Sequence, residues 1–232
     1  CLVGSEMCIR DRGKMRNKFD EQLLQLNHEM IEMGALCEEV IALSSQALTE
    51  GDTALAAKVA PLDSEIDHKE REIENLCLKL LLRQQPVARD LRQISAALKM
   101  ITDMERIGDQ AEDIAEIVAF LDGRQAENDA LLKEMAKAVI QMVTESVDAY
   151  VKCDIMLAKK VIAADDVVDE QFARVKQSLI GKIAADPADG EYALDLLMIA
   201  KYYERIGDHA TNIAEWVIYS VTGTHKDEIT LT

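Results

Sequence analysis

The sequence predicts an all-α protein: two tandem repeats of an antiparallel three-helix bundle, six long helices in all. Three observations lead there. Only 3 prolines and 10 glycines interrupt 232 residues, and aromatics are 4%, so strong helix formers dominate and breakers are few. Apolar residues recur in steps of three and four, the spacing of one helical stripe. The string Glu105-Arg106-Ile107-Gly108-Asp109 returns as Glu204-Arg205-Ile206-Gly207-Asp208, and Ala111 and Ile114-Ala115-Glu116 return as Ala210 and Ile213-Ala214-Glu215. Nine of the twelve residues from 105 to 116 thus recur 99 positions later.

Residues 1–14 fit nothing that follows, and Met15-Arg16-Asn17-Lys18 reads as a natural start. The leading stretch is expected to be a non-native, disordered tail. The first helix carries Leu23, Leu26, Met30, Met33, Cys37, Val40, Ser44 and Ala47 on one stripe, then breaks at Gly51-Asp52, with Asp52 as the next N-cap. A second stripe runs Leu55, Val59, Leu62, Ile66, Ile73, Leu76, Leu80; Pro61 inside it lacks an N–H and should kink the helix. A third helix opens near Pro86 and passes through Leu91, Ile94, Leu98 and Ile101 into the repeated motif, closing at Asp122-Gly123.

The pattern then restarts. Helix four is expected from about Asn128 to Lys152, helix five from Asp154 to about Ala185, and helix six from the Asp186-Pro187 break to near Val221. A shift of 102 lays Asp52 on Asp154, Leu55 on Leu157, Asp63 on Asp165 and Asp67 on Asp169, whereas the third helices need a shift of 99. The first repeat is therefore 15–124, the second 125–224, and 225–232 a C-terminal tail. Helices of about 30 residues reach roughly 45 Å, so each unit should be elongated.

A net charge of -17 repels phosphate backbones and anionic lipid, which argues against nucleic-acid binding and favours cations or basic protein partners. No apolar run approaches the roughly 18 residues needed to cross a bilayer. The expectation is a cytoplasmic protein without direct membrane insertion. Five cysteines show no C-x-x-C and no zinc spacing, so they read as free thiols in a reduced compartment.

The chemistry is carried by carboxylates. Glu105, Asp109 and Asp113 are spaced four apart on the third helix, and Glu204, Asp208 and Asn212 repeat the spacing on the sixth. Stacked carboxylates repel unless a cation compensates. Arg106 and Arg205 offer one, although each points roughly 100° from the adjacent Glu; a multivalent metal ion is the other. Hard oxygen ligands suit Mg, Ca, Mn or Fe. Gly108 and Gly207 would allow close approach of another backbone, a metal or its waters. Asp63, Asp67, Asp165 and Asp169 recur as pairs and are weaker candidates for the same sites. The bland alternative is a solvated acidic stripe.

Glu65-x-x-His68 has the spacing of a di-iron carboxylate motif, but its counterparts Val167 and Glu170 lack both roles. There is no phosphate-cradling glycine loop and no G-x-S-x-G or H-E-x-x-H. No enzymatic activity is indicated. The competing readings are a carboxylate-bridged metal oxidase or phosphohydrolase, and a purely structural helical partner.

Two copies of E-R-I-G-D-x-A-x-x-I-A-E, with Gln85-Pro86-Val87-Ala88-Arg89-Asp90-Leu91-Arg92 at the entry to helix three, resemble the PhoU family of phosphate-transport regulators over about residues 15–224. The resemblance implies a cytoplasmic negative regulator of the phosphate-starvation response that couples the phosphate ABC transporter to a sensor histidine kinase. It implies multinuclear metal clusters on the E-x-x-x-D motifs, here Glu105, Asp109 and Asp113 with Glu204, Asp208 and Asn212, taking divalent or trivalent ions such as Fe, Mn, Mg or Zn. It also implies a homodimer. Because the second motif ends in Asn212, that site is expected to bind metal less tightly.

Overall fold

A computed structural model describes residues 3–83, 87–121 and 130–224, with side chains of the first helix only from Phe19 onward. Seven helices and a short 3-10 turn follow one another: α1 (Val3–Glu50), α2 (Thr53–Ala56), α3 (Val59–Arg83), α4 (Ala88–Phe120), α5 (Ala130–Lys152), α6 (Ile155–Ala185), the turn Pro187–Asp189, and α7 (Gly190–Thr222). No strand occurs among the described residues. The segments around Pro86, Asp122-Gly123 and Asn128, and the tail 225–232, lie outside them. The α1 backbone is helical from Val3, where a disordered tail was expected; helix propagates readily once nucleated.

The repeats begin their middle helices alike. Asp52 accepts from Ala54 N and Leu55 N at 2.8 and 3.1 Å, and Asp154 accepts from Met156 N and Leu157 N at 2.9 and 3.0 Å. They then part. Pro61 does more than kink its helix: a turn at Ala57 and Lys58, where Lys58 N bonds Leu55 O three residues back at 3.0 Å, divides α2 from α3. Pro61 falls in the first turn of α3, where its missing N–H costs nothing. Its counterpart Ala163 leaves α6 unbroken.

Short connections turn each helix back on the last, giving α1–α3–α4 and α5–α6–α7 as two three-helix units. The units share one core. α4 packs along α7 and α1 along α5, while α3 and α6 lie on the outside. α4 and α7 run antiparallel: Arg92 Nε meets Ser220 O at 3.5 Å and Asp103 Oδ1 meets His209 Nδ1 at 2.9 Å. The predicted stripe of α1 is buried from Leu26 through Ala47, with Ser44 satisfied by donating to Ile41 O at 3.0 Å. On α4 the seam runs through Asp90, Ile94, Ala97 and Ile101, and Leu91 is 45% exposed rather than on the seam.

Candidate metal centres

At Gly108, side chains of α3 reach the α4 backbone beside the first carboxylate face. A Cβ there would stand 2.4 Å from Asp63 Oδ1, so only glycine leaves room for that side chain. Asp63 is 8% exposed, and its Oδ1 is buried with no hydrogen-bond partner. Burial, then the charges of Glu112, Asp109, Asp67 and Glu105, push its carboxyl up to about 7. The Glu112 carboxyl lies against Asp63 as well, and a buried carboxylate among like charges is costly unless it takes up a proton or a cation.

Six acids gather there: Asp63, Asp67 and Glu70 from α3, and Glu105, Asp109 and Glu112 from α4. On each helix they follow i, i+4, i+7 spacing, which returns to within about 20° of its start. Glu105, Glu70 and Glu112 are all held above the usual carboxylate range, by burial first and by neighbouring acids second. Arg106 answers part of this charge. It does not point away: Nη1 lies 2.7 Å from Asp109 Oδ2 and Nε 3.4 Å from Glu105 Oε2. Its side chain is 55% exposed, so solvent weakens the compensation.

The second face is built on the same plan from Asp165 and Asp169 of α6 and Glu204 and Asp208 of α7. A Cβ on Gly207 would meet Asp165 Oδ1 at 3.4 Å, ordinary contact rather than collision. Burial, Asp208, Asp169 and Glu204 raise the Asp165 carboxyl to about 6. Asp169 and Asp208 are exposed, so this face is more open than the first. Lys201 Nζ bonds Glu204 Oε2.

The structure brings Glu105 and Asp109 together with Asp63 and Asp67, and Glu204 and Asp208 together with Asp165 and Asp169. It turns Asp113 and Asn212 elsewhere. Eight residues of helix advance by about 80° net, enough to carry both side chains round to the α4–α7 seam. Asp113 is raised by burial, Glu116 and Asp109, and lowered by Arg205 of α7. Asn212 Nδ2 donates to Asp103 Oδ1 at 3.1 Å, beside His209. Sequence reasoning missed Glu70 and Glu112. Their signal was present in the i+7 step, which follows a helix face more closely than i+8.

Among the described residues no three acid, histidine or cysteine groups already converge on one ligand point. Both faces offer hard oxygen donors from two helices, and the first adds a buried orphan oxygen on Asp63 and a glycine, Gly108, that lets this aspartate approach.

The PhoU domain model matches this chain twice, over residues 30–118 and 132–217. The chain belongs to the PhoU family. The two matches coincide with the two helical units, so each PhoU domain carries one carboxylate face. Among its PhoU relatives is the phosphate-specific transport system accessory protein PhoU homolog of Clostridium acetobutylicum, 36% identical over 216 residues, 91% of this chain and 98% of the relative. The homolog of Pseudomonas aeruginosa is 35% identical over 217 residues, 93% of this chain and 90% of the relative. The crystal structure of PhoU from Pseudomonas aeruginosa superposes with a TM-score of 0.83 at 35% identity, covering 89% of this chain and all (100%) of that one. The phosphate transport system regulatory protein PhoU from Streptococcus pneumoniae gives 0.82 at 26% identity, covering 89% of this chain and 98% of that one. These PhoU proteins are accessory or regulatory by name.

Proposed function

We propose that this protein regulates phosphate uptake and phosphate homeostasis from the cytoplasm, damping the phosphate-starvation response as a metal-bearing adaptor between the phosphate ABC transporter and a sensor histidine kinase. It is a regulator and not an enzyme. The coarse role follows its PhoU relatives, which are named for the phosphate-specific transport system. No helix among the described residues is long and apolar enough to cross a membrane. The proposed contact on the transporter is its ATPase subunit. A homodimer is part of the proposal.

One observation carries the metal reading: the buried Asp63 carboxylate, unpartnered at Oδ1, faces three further acids of α4 across the glycine that admits it. Asp63, Asp67, Glu70, Glu105, Asp109 and Glu112 would hold ions in the first face, and Asp165, Asp169, Glu204 and Asp208 in the second. The bound ions would neutralise each face and cross-brace α3 to α4 and α6 to α7, fixing the outer surface that a partner meets. The test is elemental analysis of protein purified without chelator. Glu105→Ala with Asp109→Ala should lose the first site's metal while remaining helical, and weaken capture of the ATPase subunit or the sensor histidine kinase. Unchanged metal content in that variant sinks the assignment.

A further inference from the structure

The two register shifts that align the repeats also align what differs between them. The shift of 102 lays Glu70 on Phe172, and the shift of 99 lays Thr102 on Lys201. Both are interacting pairs in their own halves. In the first, the Thr102 hydroxyl lies beside Glu70 and favours its ionised form against burial. In the second, Lys201 Nζ stands 5.6 Å from the centre of the Phe172 ring, within cation–π reach. An acid with a hydroxyl has therefore been exchanged, as a pair, for an aromatic ring with an ammonium.

The exchange changes the local charge by two units, one from Glu to Phe and one from Thr to Lys. Thr211 in place of Glu112 removes another acid. Lys201, 38% exposed, is held on two sides: the ring lies on one, and its ammonium donates to Glu204 Oε2 on the other. Its charge also favours ionised Asp208 against the opposing effect of burial. The first face has no such residue. Its cations, Arg106 and Arg71, are 55% and 70% exposed and approach from the solvent side, Arg71 standing 3.5 Å from Asp67 Oδ2. In the second half Arg205 instead lies over Tyr202, 5.7 Å from the ring centre, and Ala173 replaces Arg71.

We propose that Lys201, positioned by Phe172, is a tethered counter-ion of the second face, its ammonium compensating Glu204 and Asp208 in place of a metal ion. The second face then takes up metal more weakly than the first and empties first. The inference rests on reading both faces as metal sites. It assigns the inequality to Lys201 and not to Asn212, which is engaged with Asp103 on the α4–α7 seam.

Mn2+ titrated into the chelator-treated full chain tests it, with bound ion followed by calorimetry and free ion by electron paramagnetic resonance. The wild type should show a tight and a weak class of sites. Lys201→Met, which keeps bulk and removes charge, should tighten the weak class about tenfold. Lys201→Thr with Phe172→Glu should move it further, while Thr102→Lys with Glu70→Phe should weaken the tight class. Chelator-treated Lys201→Met should also melt below the wild type and recover in excess Mn2+. Helicity by circular dichroism identifies any variant that misfolds, and Lys201→Met then decides the matter. Mn2+ classes indifferent to every Lys201 variant overturn this inference alone. A wild type that binds no Mn2+ overturns the metal reading and this inference with it.

Discussion

The α3–α4 face and the α6–α7 face descend from one design, yet they handle charge differently. Both present an aspartate to a glycine of the neighbouring helix, and both set a Glu and an Asp four apart beside it. The first then adds Glu70 and Glu112 and encloses Asp63 almost completely. The second substitutes Phe172 and Thr211, brings in Lys201, and leaves Asp169 and Asp208 exposed. The lesson is that a duplicated motif preserves the ligand pattern while its net charge drifts through neighbours outside the motif. Electrostatic demand for a cation is set by the whole face.

The comparison can be broken most forcefully at the middle helices. Ala163→Pro would place in unbroken α6 the residue that divides α2 from α3. With no turn prepared for it, the cost should be about 3 kcal/mol in urea unfolding. A cost near zero would show that α6 has the same latent break.

The next effect is pH dependence in chelator. Asp63 and Asp165 have folded-state values of about 7 and about 6, above the ordinary aspartate value of about 3.9. The folded state therefore holds protons that the unfolded chain has released, and stability falls as pH rises between the two values. The loss should begin near pH 4 and continue to about 6 for Asp165 and to about 7 for Asp63. At about 1.4 kcal/mol per unit of raised pKa it totals several kcal/mol, less on the half-exposed Asp165 where solvent screens the charges. Asp63→Asn should abolish the fall above about pH 6 and roughly halve its slope below, leaving the Asp165 part. Added Mn2+ should stabilise more at pH 8 than at pH 5, because protons compete for the same oxygens.

Smaller and opposite in sign are the two glycines. Gly108→Ala collides with Asp63 at 2.4 Å and touches Ile66 Cδ1 at 3.1 Å, and should destabilise by about 1 kcal/mol net. Gly207→Ala meets ordinary contact and should gain up to about 1 kcal/mol from helix propensity. Equal effects in thermal melts would show the two faces to be equally tight. The smallest change is at the turn before each middle helix. Cys153 has φ 51 where the first repeat has Gly51 at φ 65. Cys153→Gly should therefore gain about 0.5 kcal/mol, strain relief partly offset by unfolded-state entropy.

Much of this was legible in the residues alone. Period and breakers placed the last four long helices closely, and the paired Asp52 and Asp154 caps stood at the predicted starts. The carboxylate faces were legible as spacing. Their membership was not, because a step of four residues drifts by about 40°, and two such steps carried Asp113 and Asn212 onto another surface. Glu70 and Glu112 lay within reach of the same arithmetic.

By itself the sequence determined the repeat, the helices, and the acids available to each half, since these depend on local periodicity and on which side chains exist. Tertiary structure decided which acids face one another, that Arg106 folds back onto Glu105 and Asp109, and that Lys201 lies between Phe172 and Glu204. Those outcomes depend on the approach of α3 to α4 and of α6 to α7. Charge interactions act through space over a few ångströms and carry no signature in the order of the chain.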